Sequence, residues 1–69
     1  MSLVEMEGKK VRIIDSDDKY WEGMVTDYIY PEDNEPEVES IIIKCSKGRF
    51  PGKSVEFTKR DIKSITIIE

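Results

Sequence analysis

Histidine is absent from this 69-residue chain and cysteine occurs once, as Cys45. Without imidazole the chain cannot by itself assemble a Ser-His-Asp or Cys-His catalytic set, or a histidine-ligated metal site. One thiol excludes an intrachain disulfide and a thiolate zinc cluster. Apolar runs are short: none exceeds three residues, as in Ile41-Ile42-Ile43, against the roughly 20 that cross a bilayer as a helix. No segment carries the 3.6-residue apolar stripe of an amphipathic helix, and there is no internal repeat or low-complexity tract. A chain this short is one small domain, and it hides only about 60% of its unfolded surface.

What the chain does have is charge and alternation. Charged residues make up 38% of it and hydrophobic residues another 38%, with a net charge of −4. The charge is uneven along the chain. Residues 1–39 hold four cations against twelve carboxylates, and residues 40–69 hold seven cations against three. Nucleic-acid binders usually carry net positive charge, because phosphate neutralisation supplies much of their affinity. The whole chain speaks against that role, and its second half keeps it open. Met1 to Gly8 carries Glu5 and Glu7 and no apolar stretch. No secretory signal is read there, and the expected location is cytoplasmic. Met1-Ser2-Leu3 reads as a cloning remnant outside the fold, within an N-terminal extension over residues 1–7. The domain proper is expected over 8–69.

The period is two almost throughout. Lys9 to Ile13 alternates, with Val11 and Ile13 on one face, and Asp15-Ser16-Asp17-Asp18 ends it as a turn whose side chains bond their own backbone. Tyr20 to Tyr30 is rich in aromatic and β-branched residues, and Gly23 inside it marks a bend or a close backbone approach. Pro31 stops this strand. Ser40 to Ser46, the pair Val55 and Phe57, and Ile62 to Ile68 supply three more. One short helical turn over Leu3 to Gly8 is the only helical feature expected. The fold class is therefore all-β: five short strands in a small barrel or strongly bent sheet. Val11, Ile13, Val25, Ile41, Ile43, Val55, Ile65 and Ile67 are expected to share its interior. Ile42 and Ile68 point away from their neighbours and need another cover, which self-association would provide.

Four features carry candidate chemistry. Cys45 continues the apolar face of Ile41 and Ile43 and reads as a core thiol. The loop Pro31 to Glu39 crowds five carboxylates between strands. It lacks the ligand order of a calcium loop, so it reads as solvated and no metal is assigned. Lys47-Gly48-Arg49-Phe50-Pro51-Gly52-Lys53 sets the cations Lys47, Arg49 and Lys53 around an aromatic ring on a turn. This composition suits a single strand of nucleic acid, with cations on phosphates and the ring on a base. The plainer reading, and the favoured one, is a lysine-decorated hairpin tip with Phe50 folded onto the barrel end. Tyr20, Tyr28 and Tyr30 share a face by period two, as a binding row if exposed and as packing if buried. A barrel of this size has little room for a closed, water-free pocket, so no enzymatic activity and no cofactor are expected.

The strand plan and Phe57-Thr58-Lys59-Arg60-Asp61-Ile62-Lys63-Ser64-Ile65 resemble the Sm-like (LSm) family, in particular its divergent, small bacterial-type members. The segment is similar to that family's second signature, Ile-Arg-Gly-x-Asn-Ile-x-x-Ile. Phe57, Ile62 and Ile65 keep the apolar positions and Asp61 stands at the asparagine, while Thr58 and Lys59 replace arginine and glycine. Gly23-Met24-Val25 resembles the Gly-x-Leu of the family's second strand, and Asn34 sits near its loop asparagine. The resemblance implies an SH3-like barrel of Sm type over about residues 8–69. It also implies a homo-oligomer joined through the fourth and fifth strands, and single-stranded RNA as partner. The implied RNA-binding positions are Tyr30 and Asn34 in one loop and Lys59, Arg60 and Asp61 in the other. The alternative expectation is a protein-interaction module of SH3 or Tudor type. It would take a basic or methylated peptide, with the tyrosines as a cage and the acidic first half as its complement.

Overall fold

The structure, a computed structural model, describes residues 2–69. Five strands follow one another: β1 (Lys10–Asp15), β2 (Tyr20–Ile29), β3 (Ser40–Lys47), β4 (Ser54–Thr58) and β5 (Ile62–Ile67). The helical elements are single 3-10 turns at Val4–Met6, Pro31–Asp33 and Lys59–Asp61. The expected N-terminal turn is thus present. The chain is all-β, with one antiparallel sheet in the order β4-β3-β2-β1-β5.

Connection length makes this sheet curl. β4 and β5 stand at opposite ends of the strand order, four spacings apart, which on a flat sheet is about 19 Å. Only the turn Lys59–Asp61 joins them, and at about 2 Å rise per residue it spans about 8 Å. The sheet must bend until its two ends approach. Among the described residues β4 pairs only with β3, and β5 only with β1, so no strand ladder joins the ends.

The hollow of the bend holds the core: Leu3, Met6, Val11, Ile13, Trp21, Val25, Ile41, Ile43, Cys45 and Phe57 are buried. Val55 and Ile65, expected inside, are half-buried against this cluster. Ile67, also expected inside, is 44% exposed. It pairs with Val11, but among the described residues β5 has a strand neighbour on one side only. Leu3 corrects the sequence reading in the opposite direction. Set aside as a remnant, it has no exposed surface, and its N–H donates to the Glu39 carboxylate. Met1, grouped with it, lies outside the described residues.

A bulge corrects the tyrosine row. Val25 pairs with Ile43 and Asp27 with Ile42, which leaves Thr26 unpaired and shifts the register. Beyond the extra residue the faces exchange, as one additional residue in a period of two requires. Tyr28 therefore pairs with buried Ile41 and packs on the core, while Tyr20 points outward, 41% exposed. The close approach expected at Gly23 is present: a Cβ there would lie 2.3 Å from the Lys44 carbonyl oxygen.

Candidate nucleic-acid interface

The two loops implied by the family resemblance meet in the structure. The Lys59 N–H donates to the Glu39 carbonyl oxygen at 2.9 Å. This contact seats the Lys59–Asp61 turn beside the acidic loop, and a shallow cleft of about 370 Å³ lies between Pro31, Glu37, Val38 and Glu39 on one side and Lys59 and Arg60 on the other. Lys59 and Arg60 are exposed. The remaining implied positions are occupied by internal bonds. The Asn34 amide donates to the Val38 carbonyl oxygen at 2.7 Å and to the Ser40 hydroxyl at 3.0 Å, holding the loop closed. The Asp61 carboxylate accepts from the Thr58 N–H and hydroxyl at 2.9 and 3.0 Å, capping its own turn. Tyr30 is 56% exposed and meets Tyr28 edge to face, with ring centroids 5.0 Å apart. The Tyr28 hydroxyl lies 3.4 Å from Glu39. Burial, then the Glu39 charge and this hydrogen bond, push its pKa above the ordinary phenol value.

At the opposite end of β2 the basic turn folds back onto the aromatic core. Trp21 anchors it: the indole N–H donates to Asp15 at 2.8 Å, and its ring meets Phe57 edge-on at 5.0 Å. Gly48 has φ +128°, a conformation that favours glycine, and a Cβ there would press on the Tyr20 carbonyl and the Trp21 ring at 3.0 and 3.2 Å. Only glycine lets the turn lie this close. Phe50 then leans on Trp21, ring centroids 6.1 Å apart, yet stays 48% exposed. The ring thus packs in part on the aromatic core and in part faces solvent. Arg49 lies 5.5 Å over Phe50, and Arg12 lies 5.9 Å over Tyr20. Lys19, Tyr20 and Arg49 line a pocket of about 430 Å³ between these groups. Lys47 and Lys53 are exposed on either side of the turn.

Sequence reasoning missed Arg12, Lys19 and Tyr20 as members of this patch, since they come from β1, from the β1–β2 connection and from β2 rather than from the basic turn. Alternation was the available signal: Arg12 must point away from the face of Val11 and Ile13. Glu22 sits inside the patch, 3.8 Å from Arg12. The Tyr20 hydroxyl, which donates to it, together with the charges of Lys47, Lys10 and Arg12, holds its carboxyl below the ordinary 4.5, against the opposing push of burial. Cys45 is buried, and burial pushes its thiol pKa up; it is a packing residue rather than a nucleophile.

The fold and these surfaces describe a small all-β chain with one cleft of mixed charge and one basic, aromatic patch. Comparison with protein-family models, with curated proteins and with solved structures finds no match to it. Among the described residues no helix is long and apolar enough to cross a membrane.

Proposed function

We propose that the chain is a non-enzymatic, cytoplasmic module of Sm-like kind that binds single-stranded RNA and works as a homo-oligomer. The observation that carries the RNA reading is the pocket of Lys19, Tyr20 and Arg49 beside the half-exposed ring of Phe50. Cations there reach phosphates while two exposed rings offer stacking surfaces that accept any base. The cleft at Lys59 and Arg60 contributes less, because Glu37 and Glu39 line its other wall. The oligomer reading draws support from β4 and β5, each with one edge free of a strand partner among the described residues. Fluorescence anisotropy with a labelled single-stranded oligoribonucleotide tests the proposal. If Arg12, Lys19 and Arg49 neutralise three phosphates, log K falls against log salt with a slope of about −2. Phe50→Ala is expected to weaken binding by about 1–3 kcal/mol without changing that slope. Binding untouched by both salt and Phe50→Ala would remove the reading.

One observation favours the peptide-binding alternative. The perpendicular pair Tyr28 and Tyr30 beside Glu39 suits a basic or methylated side chain. A pull-down with and without RNase separates the two readings.

A further inference from the structure

Few carboxylates offset the cations on the outer face of the sheet: Arg12 pairs with Glu22, whose charge also faces Lys10 and Lys47. Lys10 of β1 pairs with Met24 of β2, and Met24 pairs with Lys44 of β3. Met24 is 43% exposed. This Lys-Met-Lys row, with Cys45, Ser46 and Glu69, lines a groove of about 380 Å³ in which Glu69 is the one carboxylate. The neighbouring row adds Arg12 and Lys47 around Glu22. Among the described residues the ion pairs are Arg12–Glu22 and Lys63–Asp18; Lys10, Lys44 and Lys47 have no such partner.

The complement lies on the loop between β2 and β3. Glu32, Asp33, Glu35 and Glu37 are exposed there and take part in no ion pair among the described residues. Glu35-Pro36-Glu37 places a carboxylate on each side of an apolar ring, as Lys10 and Lys44 place an ammonium on each side of Met24. Lys10 and Lys44 stand two strand spacings apart, about 10 Å, and the loop is bent over residues 34–37, so Glu35 and Glu37 stand closer together than the about 7 Å of an extended segment. Flexible lysine stems take up the difference. The loop is also held away from the groove of its own chain, because Asn34 ties it to Val38 and Ser40 and it borders the Lys59–Arg60 cleft.

We propose that this groove receives the acidic loop of a second copy of the chain, with Glu35 and Glu37 on Lys10 and Lys44 and Pro36 against Met24. Donor and acceptor surfaces differ, so the contact is head to tail and continues from copy to copy or closes as a ring. The inference rests on the reading that copies associate, and it names a charged contact distinct from edge pairing of β4 and β5.

Sedimentation velocity of the full chain, at low salt and at about 0.5 M salt, tests it with two charge-reversed variants. Wild type is expected to sediment above its 8.0 kDa monomer at low salt and to return toward it at high salt. Lys10→Glu/Lys44→Glu and Glu35→Lys/Glu37→Lys are each expected to stay monomeric alone and to associate when mixed, since each then complements the other. Lys44, Glu35 and Glu37 are exposed and Lys10 is half-buried, and circular dichroism confirms the fold of each variant. A monomeric wild type at low salt, a variant that assembles like wild type, or a mixture that stays monomeric would each overturn the proposal. Assembly indifferent to salt and to both reversals overturns it in favour of edge pairing. If the groove variant loses the oligoribonucleotide while assembly is unchanged, the groove is a nucleic-acid surface and the proposal falls while the RNA reading stands.

Discussion

Leu3 has no exposed surface, and nothing in its neighbourhood along the chain announces that. Leu3 and Met6, three residues apart and both buried, span a single turn, too short a pattern to show a period, so their burial depends on a hollow that only the finished sheet provides. Ile67 shows the converse: its period is right, but its strand has no second neighbour. These two residues set a paired prediction. Leu3→Ala should cost about 2–5 kcal/mol, as buried leucines do, a large share of the stability of so small a domain. Ile67→Ala should stay within about 1 kcal/mol, because a side chain 44% exposed has less apolar area to lose. Urea denaturation of both variants checks the order, and a Leu3→Ala protein as stable as wild type would return residues 1–3 to the status of a remnant. Gly23 was legible from its place in a strand, and the 2.3 Å approach to the Lys44 carbonyl gives the reason. The bulge at Thr26 was not legible, since neither glycine nor proline marks it. The turn carboxylates add a pH dependence. Desolvation pushes the Asp15 carboxyl up, but bonds from the Lys19 N–H, the Trp21 indole and the Asp17 N–H, with the Lys19 charge, outweigh it and hold the group below 3.8. A carboxyl lowered on folding gives stability that is fully present above its unfolded pKa and is lost as pH falls through the folded value. Thermal stability should therefore be flat from about pH 7 to 5 and fall below about pH 4. Asp15→Asn should flatten that acid limb, and an acid limb identical to wild type would remove Asp15 from its cause.

At the scale of elements, the five strands follow from alternation alone, and their curl follows from one connection. Three residues between β4 and β5 cannot bridge a flat sheet, so the bend is encoded by loop length rather than by any strand. The basic turn was legible as a candidate surface because its cations and ring lie within seven residues of each other. The rest of the patch was not, because the sheet brings Arg12 and Tyr20 to it from other strands and Lys19 from the β1–β2 connection. The acidic loop read as plain solvated chain, and the structure gives it a 3-10 turn at Pro31–Asp33 and the two Asn34 bonds. Those bonds contribute about 1 kcal/mol each at most, and shortening a loop changes its closure entropy slowly. Replacing residues 32–37 by Asn-Gly is therefore expected to lower stability by about 1–2 kcal/mol and to preserve the sheet, less than Leu3→Ala costs. Far-ultraviolet circular dichroism and a urea titration measure this. Loss of the folded state would mean that the loop organises β2 and β3 rather than merely connecting them.

At the scale of the whole molecule, a net charge of −4 conceals a separation of charge in space. The acidic loop follows the end of β2, and the pocket of Lys19, Tyr20 and Arg49 lies at its start. A ten-residue strand at about 3.3 Å per residue puts these sites up to about 30 Å apart, in a molecule 29 Å along its longest axis. Screening decides whether a polyanion at the pocket feels the loop. The Debye length is about 10 Å at 0.1 M salt and about 30 Å at 0.01 M. Near physiological salt the patch acts alone, so the acidic net charge does not by itself oppose the proposed RNA contact. In dilute salt the loop lies within range and repels the phosphates. Replacing Glu32, Glu35 and Glu37 by Gln should therefore tighten oligoribonucleotide binding at about 0.01 M salt and leave it unchanged at about 0.1 M. The protein must be dilute enough to stay monomeric, so that association does not enter. Anisotropy titrations at the two salt concentrations read the difference directly. An equal gain at both would place the RNA next to the loop, in the Lys59–Arg60 cleft, and take it away from Tyr20 and Phe50.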